Sequence, residues 1–153
     1  MSTKISSLKT IGLIGKYGDP KIAPIVLGLI DFLQARGLKV LIEQATADAL
    51  APRHAHVHPI TEIGKHIDLA VVVGGDGTML IAARNIAGFK VPMIGVNLGR
   101  LGFLTDIAPD NMLVELGKVL DGDSKIEERL LLTAEVVRDA ADKPHEIIGS
   151  VVD

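Results

Sequence analysis

The chain has 153 residues, 48% hydrophobic and 23% charged, a formal net charge of −3 and no cysteine. That is the length of one ordinary domain, too apolar for intrinsic disorder and too little basic for an extended nucleic-acid surface; a disulfide scaffold, a thiolate zinc site and a cysteine nucleophile are excluded. Aromatic residues make up only 3%, too few for the stacking platforms of single-strand readers, and no apolar run approaches the roughly 20 residues that span a bilayer.

Residues 1–10 carry neither an apolar signal core nor an Arg-rich transit pattern, which makes a cytoplasmic, soluble protein without membrane contact the expectation. Residues 10–15 form a short apolar run closed by glycine, a first buried strand. Asp19 and Pro20 then open a helix, with Asp19 as its cap, and Ile22, Ile25, Val26, Leu29, Ile30 and Leu33 repeat at helical spacing. Gly37 stands where a C-terminal cap belongs. Residues 38–43 give a second strand, and residues 45–66 a loop with a short helix. A central strand over 69–73 runs into a glycine-rich turn and a helix from Met79 to about Ala87. Residues 91–96 form another strand, with Pro92 marking an edge or entry position. A helix over 110–120, with Asp110 as its cap, completes the pattern.

This alternation predicts an α/β fold, a Rossmann-like doubly wound parallel sheet. Beyond residue 124 the pattern changes. Residues 130–137 and 146–152 flank a polar stretch with a proline and predict a β-hairpin, so a domain boundary is placed near residue 125.

The first site signal is Gly74-Gly75-Asp76-Gly77-Thr78, between an apolar strand and a helix. That is the carboxyl edge at which open α/β sheets bind ligands. Glycine admits close backbone approach and positive φ, and the amides opening the next helix suit phosphate. A carboxylate among them repels phosphate and is better suited to accept a hydroxyl proton or hold a metal ion. The plain alternative is a tight turn with Asp76 as N-cap. The second signal is Asn97-Leu98-Gly99-Arg100-Leu101-Gly102-Phe103-Leu104-Thr105-Asp106, again after a strand. Asn97 offers both donor and acceptor groups, and Gly99 and Gly102 permit unusual backbone angles. Phe103 either stacks on a purine or belongs to the core; Arg100 meets phosphate or solvent. His54, His56 and His58 lie on one side of an extended segment, as a metal site would place them, but with no carboxylate or thiol at ligand spacing they read as a solvated loop.

The two motifs together, with Arg129-Leu130-Leu131-Leu132 beyond them, resemble the NAD kinase family. The first motif alone is shared with diacylglycerol and sphingosine kinases; the second points to NAD kinases. The resemblance implies phosphoryl transfer from ATP, or in some members polyphosphate, to the adenosine ribose 2′-hydroxyl of NAD. It implies Asp76 as proton acceptor and nucleotide-binding roles for Gly75, Gly77, Thr78, Asn97 and Phe103, with Phe103 packing on the adenine. A divalent cation, Mg2+, would travel with the ATP phosphates, and the full-length enzyme would be a homo-oligomer. Family members are longer and carry a β-rich second domain. Residues 1–125 are therefore expected to be the N-terminal domain and residues 126–153 the first hairpin of a truncated C-terminal domain. The chain is read as an incomplete half of the enzyme, the alternatives being a lipid kinase domain or a non-catalytic nucleotide-binding fragment.

Overall fold

The computed structural model describes residues 7–50, 56–105, 107–135 and, as backbone, 149–152. Strands β1 (Thr10–Gly15), β2 (Lys39–Glu43), β3 (Val57–His58), β4 (Leu69–Gly74) and β5 (Met93–Asn97) form a parallel sheet in the order β3-β2-β1-β4-β5. Helices α1 (Ile22–Ala35), α2 (Gln44–Asp48), α3 (Ile60–Ile63), α4 (Asp76–Ile86) and α5 (Met112–Leu120) connect and cover it. The expected doubly wound α/β architecture is present.

Side-chain alternation along the strands explains how both faces are filled. Leu13 of β1 and Val71 and Val73 of β4 meet Val26 and Leu29 of α1 and Leu116 of α5. Their neighbours Ile14, Ala70 and Val72 point the other way, to Ile63 of α3 and Ala82 and Ile86 of α4. Every residue of β4 is buried, which is why its sequence is a continuous apolar run. Gly12 fits the second face because a Cβ there would meet Ile67 Cδ1 at 2.6 Å.

The chain runs from β1 outward through β2 to β3, then crosses to the other side of β1 for β4 and β5. The reversal lies between β1 and β4, and a crevice at their carboxyl ends is where such sheets take ligands.

Several local expectations hold. Gly37, at φ 76°, terminates α1: its amide bonds the Gln34 carbonyl at 2.9 Å and that of Leu38 reaches Leu33 at 3.1 Å, a Schellman closure. β5 is an edge strand of the ladder, and it begins at Met93 because Pro92 brings only a carbonyl, which accepts the Ala70 amide at 3.0 Å.

Others are corrected. Asp19 does not cap α1; its Oδ1 accepts the Lys21 amide at 3.0 Å in a turn ahead of the helix, whose N-cap position is Lys21. Asp110 does not cap α5 either. It sits in the 3-10 turn Pro109–Asn111, and Asn111 takes the N-cap position without a side-chain bond. The helix after the glycine motif starts at Asp76, not Met79, since the Met79 amide already bonds the Gly75 carbonyl at 3.1 Å. Residues 45–66 hold β3 as well as α2 and α3. A two-residue strand is too short to leave a periodic signal.

A second sheet pairs β6 (Leu131–Ala134) antiparallel with β7 (Gly149–Val152), Leu131 opposite Val152. This is the expected pairing; its connecting turn lies outside the described residues. Among the described residues no ladder joins this pair to the parallel sheet, and no helix is long and apolar enough to cross a membrane.

Candidate active site

The two glycine-bearing motifs converge because their strands are neighbours in register. Gly74 at the end of β4 is the ladder partner of Asn97 at the end of β5, and the Leu98 amide bonds the Gly74 carbonyl at 2.9 Å. On the other flank the Lys16 amide, just past β1, bonds the Val73 carbonyl at 2.8 Å. The loops after β1, β4 and β5 thus leave the sheet side by side.

Asp76 ties the two motifs together. It is the first residue of α4, with Gly75 as N-cap, so a negative charge there is favoured by the helix dipole. Its Oδ2 accepts the Phe103 amide at 3.0 Å; its Oδ1 accepts the Leu104 amide at 3.0 Å and the Thr105 hydroxyl at 3.3 Å. These donors, the Leu104 amide first and the Phe103 amide next, hold the carboxyl below its ordinary value, against a partial desolvation that pushes the other way. Asp76 is therefore ionised at neutral pH. It is neither an N-cap nor a bystander of the turn: its side chain reaches across to the second motif.

Behind this contact lies a buried polar cluster. Asn97 is 3% exposed and Thr105 is 0% exposed. Asn97 Nδ2 donates to the Thr105 carbonyl at 3.1 Å and to Thr105 Oγ1 at 2.9 Å, while Asn97 Oδ1 accepts the Gly99 amide at 2.7 Å. The donor and acceptor groups expected of Asn97 are spent on the loop that it begins. Thr105 and Leu104 were not singled out from sequence, because nothing in a lone Thr after an apolar pair signals complete burial.

The glycines divide into two kinds. At Gly75, Gly77 and Gly99 a Cβ would find nothing within 4 Å, so space beside the backbone is open. At Gly74 a Cβ would strike the Thr78 side chain, and at Gly102 it would strike the Asp76 carboxylate. Positive φ is not the reason for any of them: the described glycines with positive φ are Gly18, Gly37 and Gly122. The unusual backbone angles expected at Gly99 and Gly102 are absent. Close packing, not left-handed backbone, requires Gly102.

Phe103 is 97% exposed, which removes the core reading and leaves a ring presented to solvent beside Asp76. Arg100 is also exposed. Of the three histidines, His54 lies outside the described residues, while the His58 ring sits 4.6 Å from that of His66. Among the described residues no group of three or more His, Cys, Asp or Glu could hold a metal ion.

Residues 11–124 match the model of the ATP-NAD kinase N-terminal domain. An NAD kinase of Aromatoleum aromaticum is 49% identical over 134 residues, covering 86% of this chain and 44% of that protein. One of Nitrosococcus oceani is 48% identical over 134 residues, covering 86% and 45% respectively. Among solved structures, yeast NADH kinase complexed with NADH superposes with a TM-score of 0.65 at 21% identity, covering 95% of this chain and 46% of that one, a likeness of fold. The chain spans under half the length of these curated relatives. With the family model matching most of its residues, the chain belongs to the ATP-NAD kinase N-terminal domain family.

Proposed function

We propose that this chain is the base-bearing, nucleotide-binding portion of an enzyme that transfers a phosphoryl group from ATP to the adenosine ribose 2′-hydroxyl of NAD. The observation that carries the reading is Asp76, an ionised carboxylate at the carboxyl edge of β4, held by the very loop that presents Phe103. In the reaction the ribose 2′-oxygen bonds the γ-phosphorus, the bond from that phosphorus to the β-γ bridging oxygen breaks, and ADP leaves. The hydroxyl proton passes to Asp76. A carboxylate held below its ordinary value is a weak base, so its work is to orient the hydroxyl and take the proton late. That suffices for a loose phosphoryl-transfer transition state, in which the nucleophile needs little prior activation.

The other residues follow from their places. Open backbone at Gly75 and Gly77 leaves room for the dinucleotide and the donor, and the first amides of α4, at Gly77 and Thr78, suit phosphate oxygens. Asn97 sets the loop, and the exposed Phe103 ring offers a face to the adenine. The described residues form no carboxylate cage for a cation; in this reading Mg2+ arrives on the donor's phosphates, and no step is assigned to a protein-held ion. The same reading makes the protein cytoplasmic and a homo-oligomer at full length. It also divides this chain near residue 125 into the nucleotide-binding domain and the first hairpin of a second, and makes it an incomplete half of the enzyme.

The test is NADP formation from NAD, ATP and magnesium by this chain and by one extended to the relatives' full length. NADP from the extended chain, with little from these 153 residues, is the expected result. Phosphorylation of diacylglycerol or sphingosine instead, or no NADP from either chain, would overturn it.

A further inference from the structure

Asn97, Thr105 and Asp76 form a chain of hydrogen bonds whose polarity the geometry fixes. Asn97 Oδ1 must be the acceptor of its amide, because the Gly99 N–H points at it from 2.7 Å. Nδ2 therefore faces Thr105, with one hydrogen for the Thr105 carbonyl and the other for Oγ1. With Oγ1 accepting from Asn97, the Thr105 hydroxyl hydrogen is free to go to Asp76 Oδ1, 3.3 Å away. Oδ1 then holds two donors, the Thr105 hydroxyl and the Leu104 amide, which fill the two lone-pair positions of a carboxylate oxygen. Oδ2 accepts one geometric hydrogen bond, from the Phe103 amide, against two at Oδ1, and the Thr105 amide adds a weaker pull on the carboxyl.

We propose that Thr105, itself oriented by Asn97, is a positioning residue that with the Leu104 amide occupies Oδ1 of Asp76 and so makes Oδ2 the oxygen that takes the substrate's proton. The inference rests on the reading of Asp76 as base. Nothing lets this relay carry a proton onward: the Asn97 carboxamide does not ionise, and the Thr105 hydroxyl donates toward the carboxylate. Its effect is orientation. With Thr105 wholly buried and its methyl against Gly95, where a Cβ would meet Cγ2 at 2.6 Å, the hydroxyl has one place to be. The carboxylate plane is set by it.

The variants Thr105→Val and Thr105→Ser separate this from simple packing. Val keeps the shape and loses the hydroxyl; Ser keeps the hydroxyl and loses the methyl. Carbon-13 NMR of the Asp76 carboxyl in this chain is expected to show its titration moved upward in Thr105→Val and restored in Thr105→Ser. In the full-length protein, Thr105→Val is expected to lower kcat about ten- to a hundred-fold, the scale of a misplaced reacting group. KM for NAD should hold within a few-fold, and the acid limb of the kcat profile should move up with the carboxyl titration. An unmoved carboxyl titration in Thr105→Val, or an equal kcat loss in Thr105→Ser, would overturn the positioning role. Should Thr105→Val not fold, Thr105→Cys, with a weak donor in the same place, is expected to give a smaller shift in the same direction; no shift there would overturn the role too. Asp76→Asn distinguishes the two layers. If it retains full activity the base reading fails, while the NMR result still decides whether Thr105 sets the carboxylate.

Discussion

The α-carbon of Gly102 lies against the carboxylate of Asp76: a Cβ at Gly102 would stand 2.7 Å from Cγ and 2.8 Å from Oδ2. Gly102→Ala must therefore push aside a side chain already held by three donors. The cost of such overpacking is about 1–3 kcal/mol. Hydrogen exchange at the Phe103 and Leu104 amides is expected to accelerate together, and chemical denaturation to shift to lower midpoint. Gly99→Ala, where the space is open, is the control and is expected to stay within about 0.5 kcal/mol of the parent. Equal effects of the two substitutions would show that the contact with Asp76 is not what requires Gly102.

Because Asp76 is held below its ordinary value by the Leu104 and Phe103 amides, its ionised form is favoured by folding. The sign follows from linkage: a carboxyl depressed in the folded state adds stability above its unfolded value, about 4, and that contribution disappears as pH falls through the folded value. Asp76→Asn removes the titration and also turns an amide NH2 toward an N–H or O–H donor. The stability difference between parent and Asp76→Asn is expected to be largest near neutrality and to shrink below about pH 4. A difference independent of pH from 2 to 7, measured by urea midpoints, would place the effect in packing instead.

The sheet was legible because buried parallel strands are written as apolar runs. Residues 69–73, preceded by Asp68 and closed by Gly74, could be little else, and the Schellman closure at Gly37 was visible for the same local reason. β3 was not legible, since Val57–His58 owes its two-residue pairing to β2 and carries no pattern of its own. The caps assigned to Asp19 and Asp110 failed because a capping side chain is only a local tendency; Asp19 is taken by a preceding turn and Asp110 by a 3-10 turn. At the site, both motifs and Asp76 were legible, and so was their nearness on one sheet edge. What was hidden is contact between residues apart in the chain: Gly102 against Asp76, and Thr105 between Asn97, 8 residues away, and Asp76, 29 residues away. Spacing alone does not encode which atom a loop turns inward.

Phe103 offers a clean separation of binding from folding. Its ring is 97% exposed, so Phe103→Ala removes almost no buried surface and should change stability by no more than about 0.5 kcal/mol. Aromatic–base stacking contributes about 1–3 kcal/mol, which corresponds to a loss of roughly five- to 150-fold in adenine nucleotide affinity. Titration calorimetry with NAD, beside a denaturation curve, measures both. Phe103→Tyr should bind within a few-fold of the parent. If Phe103→Ala lowers stability while leaving nucleotide affinity intact, the ring belongs to an internal contact and the adenine assignment fails.

The carboxyl end of β1 depends on a second buried network, independent of Asp76. The Gly15 amide donates to Thr46 Oγ1 at 2.7 Å, and Thr46 donates both its hydroxyl and its amide to Glu43 Oε2 at 2.9 Å. Glu43 in turn caps α2 through the Ala45 and Thr46 amides. One hydroxyl thus fastens the last residue of β1 to the end of β2, just before the chain turns away at the switch point. Thr46→Val keeps the shape and leaves the Gly15 amide buried without an acceptor, a loss of about 1–3 kcal/mol. Thr46→Ser retains both bonds and gives up only a methyl. The expected order of denaturation midpoints is parent, then Thr46→Ser, then Thr46→Val, with exchange at Gly15 faster only in the last. If Thr46→Ser were the less stable of the two, the methyl packed near Gly15 would outweigh the hydrogen bond, and the end of β1 would be held by packing rather than by Thr46 Oγ1.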